Sequence, residues 1–165
     1  VDALEIQAVV DELGLTIEPA NRGARGVTET IVGAPAALYA LRAKGGQTHV
    51  YDVLRVAQQA WAENGFRSVY TAGYLRGLSA FLLTYTPDRA PRSELIQDLM
   101  EINPAAVQST AANGLARGSS RNKWPLFSAE LLKRVNAVRS ADGRPGLRKA
   151  QAPRKTKKAR ARRAA

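Results

Sequence analysis

Near the start of the chain, apolar residues recur every three or four positions, as they do in a helix that buries one face. Asp2 supplies an N-cap and Gly14 a C-terminal stop for this first helix. Residues 15–17 then alternate like a strand, and residues 27–32 form a second short strand after a stretch rich in Pro, Asn and Gly. We therefore predict a helix followed by a short β-hairpin.

The helical period returns after Gly33 and continues, with breaks at Gly, Pro and polar positions, to residue 140. The segments between these breaks are predicted as helices over residues 35–44, 48–64, 71–86, 93–102, 104–115 and 125–140. Thr48 is expected to cap the second of them, whose apolar stripe includes Trp61. The pattern predicts a mainly α protein, a helical bundle with the hairpin near its N-terminus.

Charge divides the chain into two parts. The 165 residues suit one domain, and 25 Lys and Arg against 14 Asp and Glu give a formal net charge of +11. Ten of the basic residues and no acidic residue lie between Arg144 and Ala165, so the remainder is close to neutral. Because like charges repel and alanine supplies most of the apolar residues after Ser140, we predict a helical domain over residues 1–140 and a disordered basic tail over residues 141–165.

The composition of this tail indicates a polyanionic partner. Its Lys, Arg, Ala and Pro content resembles the tails of linker histones and of bacterial nucleoid proteins. A flexible polycation binds phosphates by counterion release, with little preference for base sequence. The tail residues expected to contact nucleic acid are Arg144, Arg148, Lys149, Arg154, Lys155, Lys157, Lys158, Arg160, Arg162 and Arg163. The alternatives are a tail that only maintains solubility and a tail that binds acidic protein or lipid.

Two segments inside the body have features of phosphate-binding loops. Arg117, Arg121 and Lys123 surround small residues whose backbone N–H groups can approach a phosphate, although an ordinary surface loop has the same composition. Gly23 and Gly26 have the GxxG spacing of KH domains. A KH domain needs three strands around that loop, so a plain turn is the favoured interpretation there.

Residues 95–115 have the outline of a helix-turn-helix. The second helix carries side chains suited to the edges of bases, namely Gln108, Ser109, Thr110 and Asn113. Against this interpretation, the turn lacks glycine, and Glu94, Asp98 and Glu101 on the first helix would repel phosphates. A helical hairpin within an all-α body is therefore favoured.

Features of enzymes, metal centres and membrane proteins are scarce. Cysteine is absent and His49 is the single histidine, which excludes thiolate sites and His-rich metal centres. Asp52 follows His49 by three positions and could orient its imidazole, but capping of the helix explains both residues. Uncharged runs are too short for a membrane span. We expect a non-enzymatic protein without cofactor or metal, located in the cytoplasm with the nucleoid.

Segments of the body resemble the helical region that follows the ParB/sulfiredoxin-like domain in phage and actinobacterial ParB-like proteins. The likeness extends over residues 2–140 and is carried by residues 14–17, the helix 36–42 closed by two glycines, the run LRVAQQAW at 54–61 and the run LRGLSAFL at 75–82. It implies a helical accessory region of a DNA-associated protein, cut from a longer parent. The nucleotide-binding boxes of ParB-type domains have no counterpart here, so no nucleotide or nuclease residue is carried over.

Together these observations predict a non-enzymatic DNA-binding accessory or nucleoid-type protein that uses its tail for sequence-independent phosphate contacts. The alternative belongs to a different class. It is a helical adaptor or assembly module that binds a protein partner, or a second copy of itself, through an apolar helix face.

Overall fold

The structure is a computed structural model, and it describes residues 2–18, 30–32, 35–66, 69–85, 91–113 and 124–149. The protein is mainly α-helical over these residues, which confirms the predicted fold class. Its helices are α1 (Asp2–Glu12), α2 (Pro35–Ala60), α3 (Ala72–Tyr85), α4 (Arg92–Met100), α5 (Pro104–Asn113) and α6 (Trp124–Ala141), with a 3₁₀ turn at Ala62–Asn64. The strands are β1 (Thr16–Glu18) and β2 (Thr30–Val32).

The two predicted strands form, but they do not form a hairpin. They pair in parallel, with Ile17 opposite Ile31, whereas a hairpin requires antiparallel strands. The Pro, Asn and Gly residues of the sequence indicate where the first strand ends, but they do not indicate whether the second strand runs parallel or antiparallel to it. Ile31 is fully buried, so this small sheet adds to the core.

A kink at Gly46 replaces the predicted gap between the first two helices after the sheet. Gly46 has a φ of 75°, a conformation that glycine adopts without strain, and helical geometry resumes immediately after it. Thr48 therefore lies within the first turn of the second arm of α2 and not at its N-cap, which corrects that prediction. The kink lets one continuous segment present two differently directed faces to the core.

Helix α3 is the centre of the bundle. It packs against α2 on one side and against α6 on another, and half of its residues are buried. At Gly77 a side chain would collide with the ring of Phe127, so glycine permits the close approach of α3 and α6. Helix α1 packs on α2 and completes this layer.

Trp61 joins the end of α2 to the end of α4. Its side chain is fully buried, as its place in the apolar stripe predicts, and its indole Nε1 donates a hydrogen bond to the carbonyl oxygen of Leu99 at 3.1 Å. The buried polar atom of the ring is thereby satisfied. None of the helices in the described part of the chain is both long and apolar enough to cross a membrane.

The body does not end near Ser140. After α6 the chain turns at Gly143, which has a φ of 70°, and residues 142–149 lie against α6 and α4. We call this segment the C-terminal strap. Its Leu147 is only 5% exposed and belongs to the core. The predicted domain boundary at residue 140 is therefore too early, while the predicted disorder of residues 150–165 concerns positions outside the described residues.

Candidate nucleic-acid interface

Arg144, the first residue of the predicted tail, is bound inside the body. Its guanidinium donates to Glu94 at 2.9 Å, to Asp98 at 2.5 Å and to Asp142 at 2.8 Å. Hydrogen bonds to Asp98, Asp142 and Glu94 raise its pKa above the ordinary value for arginine. Three carboxylates already bind this side chain within the body, which argues against the predicted contact of Arg144 with a phosphate. Two of these partners precede it by more than 40 positions, beyond the reach of any local pattern.

Arg139 lies beneath Arg144 and binds the same two carboxylates of α4. Its Nη1 is 2.9 Å from Asp98 and 3.1 Å from Glu94, and its Nε donates to the carbonyl oxygen of Pro145 in the strap at 2.7 Å. Asp98 is 2% exposed and Arg139 is 5% exposed. The expectation that Asp98 would repel phosphates is therefore corrected. Its charge is buried against two guanidinium groups and does not face an approaching phosphate.

The strap runs back along α6 and ends on exposed cations. The backbone N–H of Leu147 donates to Oδ1 of Asn136 at 2.7 Å, and the Asn136 amide donates to the Leu147 carbonyl at 3.3 Å. Arg148 and Lys149 follow Leu147 directly and are exposed. These two predicted contact residues are therefore accessible where the described chain ends.

The remaining predicted phosphate contacts lie outside the described residues. This applies to the internal residues Arg117, Arg121 and Lys123 and to the tail residues Arg154, Lys155, Lys157, Lys158, Arg160, Arg162 and Arg163. The GxxG segment at 23–26 also lies outside them. Their assignment to nucleic acid stays a prediction.

The corner between α4 and α5 forms where the sequence predicts it. The side chain of Asn103 accepts a hydrogen bond from the backbone N–H of Ala105 at 3.0 Å and so caps α5. Both helices of the corner pack on α6, and α4 packs on α2 as well. The exposed side of α5 carries no charge and presents Gln108, Ser109 and Asn113, while Thr110 accepts a hydrogen bond from Arg134.

A cavity of about 70 Å³ lies between α3, α5 and α6. It is lined by Gly73, Gln108, Ala111, Ala112, Trp124 and Phe127. The guanidinium carbon of Arg76 lies 4.5 Å from the centre of the Trp124 ring, a cation–π contact. The predicted last helix, over residues 125–140, begins after Trp124, and neither Arg76 nor Trp124 is among the predicted contact residues. The signal that could have identified this site is an arginine within an otherwise apolar helix.

His49 is buried and shares a hydrogen bond with a serine that is also buried. Its Nε2 and the hydroxyl of Ser79 on α3 share a hydrogen bond of 2.8 Å, and both residues are buried. Burial lowers the pKa of His49, the carboxylate of Asp52 opposes this change, and the cation of Arg92 reinforces it. Asp52 is held by Arg92 at 2.6 Å and makes no contact that would orient the imidazole. The hydrogen bond between His49 and Ser79 joins α2 to α3, which is a structural role.

Comparison with known proteins identifies no relative. No protein-family model, no curated protein and no solved structure matches the chain. Function therefore follows from the charges and contacts of the chain itself.

Proposed function

We propose that this protein binds DNA without catalysing a reaction, and that the basic residues beyond the strap supply phosphate contacts of low sequence specificity. The observation that carries the proposal is the contrast between the cations of the body and those of the C-terminal run. Five arginines of the described body bind a carboxylate, namely Arg42, Arg92, Arg134, Arg139 and Arg144, and the other described cations of the body, Lys44, Arg55, Arg76 and Lys133, are dispersed over α2, α3 and α6. Arg148 and Lys149 instead are exposed at the start of a C-terminal run that contains no acidic residue.

The strap gives this basic run a fixed origin. Its Leu147 is buried and its Arg144 is bound by three carboxylates, so the chain leaves the body at a defined place on α6. Seven further cations follow from Arg154 to Arg163. A polycation joined to a nearly neutral body binds a phosphate backbone through counterion release, and the body neither repels the DNA nor competes for it.

The likeness to ParB-like proteins agrees with this proposal. On that basis we place the chain as a helical accessory region of a longer DNA-associated protein, acting at the nucleoid. Residues 2–140 carry the likeness, and the basic run beyond them would add affinity without selecting a sequence.

The corner between α4 and α5 is a second candidate contact to DNA. Electrostatic repulsion by three carboxylates of the α4 region was one argument against it; Glu94 and Asp98 are neutralised by Arg139 and Arg144, while Glu101 is exposed. Gln108 and Asn113 on α5 are exposed and suit the edges of adenine. If α5 contributes to binding, the protein will prefer some DNA sequences over others, because the phosphate contacts of the basic run carry no base information.

The adaptor alternative needs a continuous apolar face for a protein partner or a second copy. The large apolar side chains that are exposed in the described part of the chain are Leu4, Tyr39, Leu83, Met100 and Leu126. They lie on five different helices. No single helix of the described part of the chain therefore carries two of them, so no one helix supplies the exposed apolar stripe that the adaptor alternative invokes.

A salt titration tests the proposal. The full chain and a chain that ends at Lys149 are each titrated with two unrelated duplexes at several salt concentrations. If about six phosphates are contacted, log K for the full chain falls with log salt with a slope of about −5. The shorter chain keeps the strap and is expected to lose most of that slope.

Two outcomes would contradict the proposal. Absence of binding by the full chain at low salt favours the adaptor alternative. Equal binding by the two chains places the DNA contacts in the body and not in the basic run. A strong preference of the shorter chain for one duplex would instead support α5 as the reader of bases.

A further inference from the structure

Arg76 is a half-buried cation without a carboxylate partner among the described residues. The other arginines in that part of the chain that are half-buried or buried are Arg42, Arg92, Arg134, Arg139 and Arg144, and each of them forms an ion pair. The Nε of Arg76 is shielded from solvent and has no hydrogen-bond partner in the described structure. The guanidinium stacks on an aromatic ring, and no carboxylate of the described residues balances its positive charge.

Trp124 provides the stacking surface beside this charge. Its ring contacts the Arg76 guanidinium, is only partly buried, and forms one wall of the cavity between α3, α5 and α6. Phe127, one helical turn further along α6, forms another wall. An aromatic ring that is fixed by a cation and partly open to solvent is the arrangement on which single-stranded nucleic acids stack their bases.

Gln108 adds a hydrogen-bonding group at the rim. It is exposed on α5 and lines the same cavity, opposite Gly73 of α3. A Cβ at Gly73 would lie 3.7 Å from the Gln108 amide nitrogen, an ordinary van der Waals contact, so the two residues face each other across the cavity. The amide both donates and accepts hydrogen bonds, which matches the edge of a nucleobase.

The dimensions of the cavity narrow the class of ligand. Its volume of about 70 Å³ is far below the roughly 300–1,000 Å³ of pockets that enclose a drug-sized ligand. It accepts the edge of one planar ring while the rest of the molecule stays outside. A base in a duplex is paired and stacked on both faces, so only an unpaired base can present its edge and one face here.

We propose that the cavity beside Arg76 and Trp124 receives an unpaired base of single-stranded nucleic acid. The base stacks against Trp124, its edge meets Gln108, and the Arg76 guanidinium attracts the adjoining phosphate. This inference rests on the proposed binding of nucleic acid and adds a contact that the basic run does not make. It assigns the body a preference for single strands, whereas the tail binds any phosphate backbone.

Tryptophan fluorescence tests the proposal on the full chain. The chain contains two tryptophans, and Trp61 is fully buried and bound to Leu99, so a ligand that quenches the emission reports on Trp124. A twelve-nucleotide oligothymidylate is titrated into the wild-type chain and into Trp124→Phe. We expect saturable quenching of the wild type and none of the variant. Equal quenching of both would overturn the proposal.

Arg76→Gln and Arg55→Gln form a matched pair of variants. Each removes one positive charge, but Arg55 is exposed on α2. Loss of a charged hydrogen bond predicts that Arg76→Gln weakens the oligonucleotide about tenfold, whereas Arg55→Gln changes affinity by less than about twofold. Equal affinities of the two variants would overturn the proposal. Gln108→Ala alters an exposed side chain, so it tests the site without disturbing the fold, and about a fivefold loss is expected.

The two proposals fail in distinguishable ways. Salt-dependent duplex binding that is lost with the tail, together with no response of Trp124 to the oligonucleotide, overturns the base site and leaves the proposed function in place. The opposite result is a chain that does not bind duplex but whose Trp124 is still quenched by the oligonucleotide after removal of the tail. That result overturns the proposed function of the tail and leaves the base site in place.

Discussion

Asp98 and Arg139 form an ion pair of 2.9 Å that is sealed from solvent between α4 and α6. Arg144 of the strap binds the same carboxylate, and the Nε of Arg139 donates a hydrogen bond to the Pro145 carbonyl oxygen. The pair therefore ties three parts of the chain together: α4, α6 and the strap. Because both charges are withdrawn from water, each one depends on the other.

Removal of one partner of this pair is expected to be strongly destabilising. Asp98→Ala leaves the buried Arg139 without its main counter-ion and should lower the free energy of unfolding by about 3–5 kcal/mol. Urea denaturation measures this change. The control is Glu130→Ala, which breaks the i,i+4 pair with the partly exposed Arg134 and should cost less than about 1 kcal/mol. Similar losses in the two variants would mean that the Asp98 pair is solvated.

The strap is expected to stabilise the body. A chain that ends at Gly143 lacks Arg144 and Leu147 and should melt at a clearly lower temperature than a chain that ends at Lys149. The single substitution Leu147→Ala tests the apolar part of this effect and should cost about 2–3 kcal/mol. Thermal melts followed by circular dichroism compare the three chains with the full-length protein. If the chain that ends at Gly143 melts at the full-length temperature, the strap does not contribute to stability.

Trp61→Ala is expected to destabilise the fold by about 3–5 kcal/mol, because it opens a cavity at a fully buried site. Trp61→Phe preserves most of the apolar surface and removes the indole N–H that bonds to Leu99. It should cost less than the alanine variant while leaving the Leu99 carbonyl without this donor. Chemical denaturation of both variants separates the contribution of volume from that of the hydrogen bond. An unchanged melt of Trp61→Ala would show that this side chain is not part of the core.

His49 is expected to make stability depend on pH below its ordinary pKa of 6.5. Burial lowers its pKa in the folded state, so the unfolded chain takes up a proton first as the pH falls. The free energy of unfolding should therefore be independent of His49 above pH 6.5 and should decrease between pH 6.5 and the lower folded pKa. Asp52 limits the decrease, and Arg92 and Lys44 increase it.

The single histidine makes this dependence directly measurable. The imidazole resonance in NMR belongs to His49 alone and should titrate below 6.5 in the folded protein. Urea melts at pH 7.5 and pH 5.5 are then compared between the wild type and His49→Asn. The part of the decrease in the free energy of unfolding that is due to His49 should be absent from the variant. A folded-state pKa at or above 6.5 would contradict the burial of His49 between α2 and α3.

Local periodicity was sufficient to predict the helices of the fold. The apolar stripe around Trp61 and the break at Asn103 and Pro104 appear in the structure where the pattern indicates them. Such features depend on residues within three or four positions of one another. Whether two strands pair in parallel or antiparallel depends on the path of the chain between them, and no local pattern contains that information. For this reason the predicted hairpin was wrong.

The contacts that alter the functional picture are distant in sequence. Arg144 has the same neighbours as any cation of the tail, and only its pairing with Glu94 and Asp98 distinguishes it. Leu147 is one leucine among charged and small residues, so composition alone counted it with the tail. The cavity beside Arg76 requires three helices to meet, which a reading along the chain cannot show.

The docked strap makes the basic run a short tether. Asn136, which holds Leu147, lies 12 residues after Trp124 on α6, about 18 Å along the helix axis. The 16 positions from 150 to 165 reach at most about 55 Å when fully extended. If the run binds a nucleic-acid strand as proposed, that strand is held within this distance of Trp124, at an effective concentration that is of order millimolar for short tethers. A low intrinsic affinity of the cavity for an unpaired base is then enough for the base to be bound, because the tether makes the second contact intramolecular.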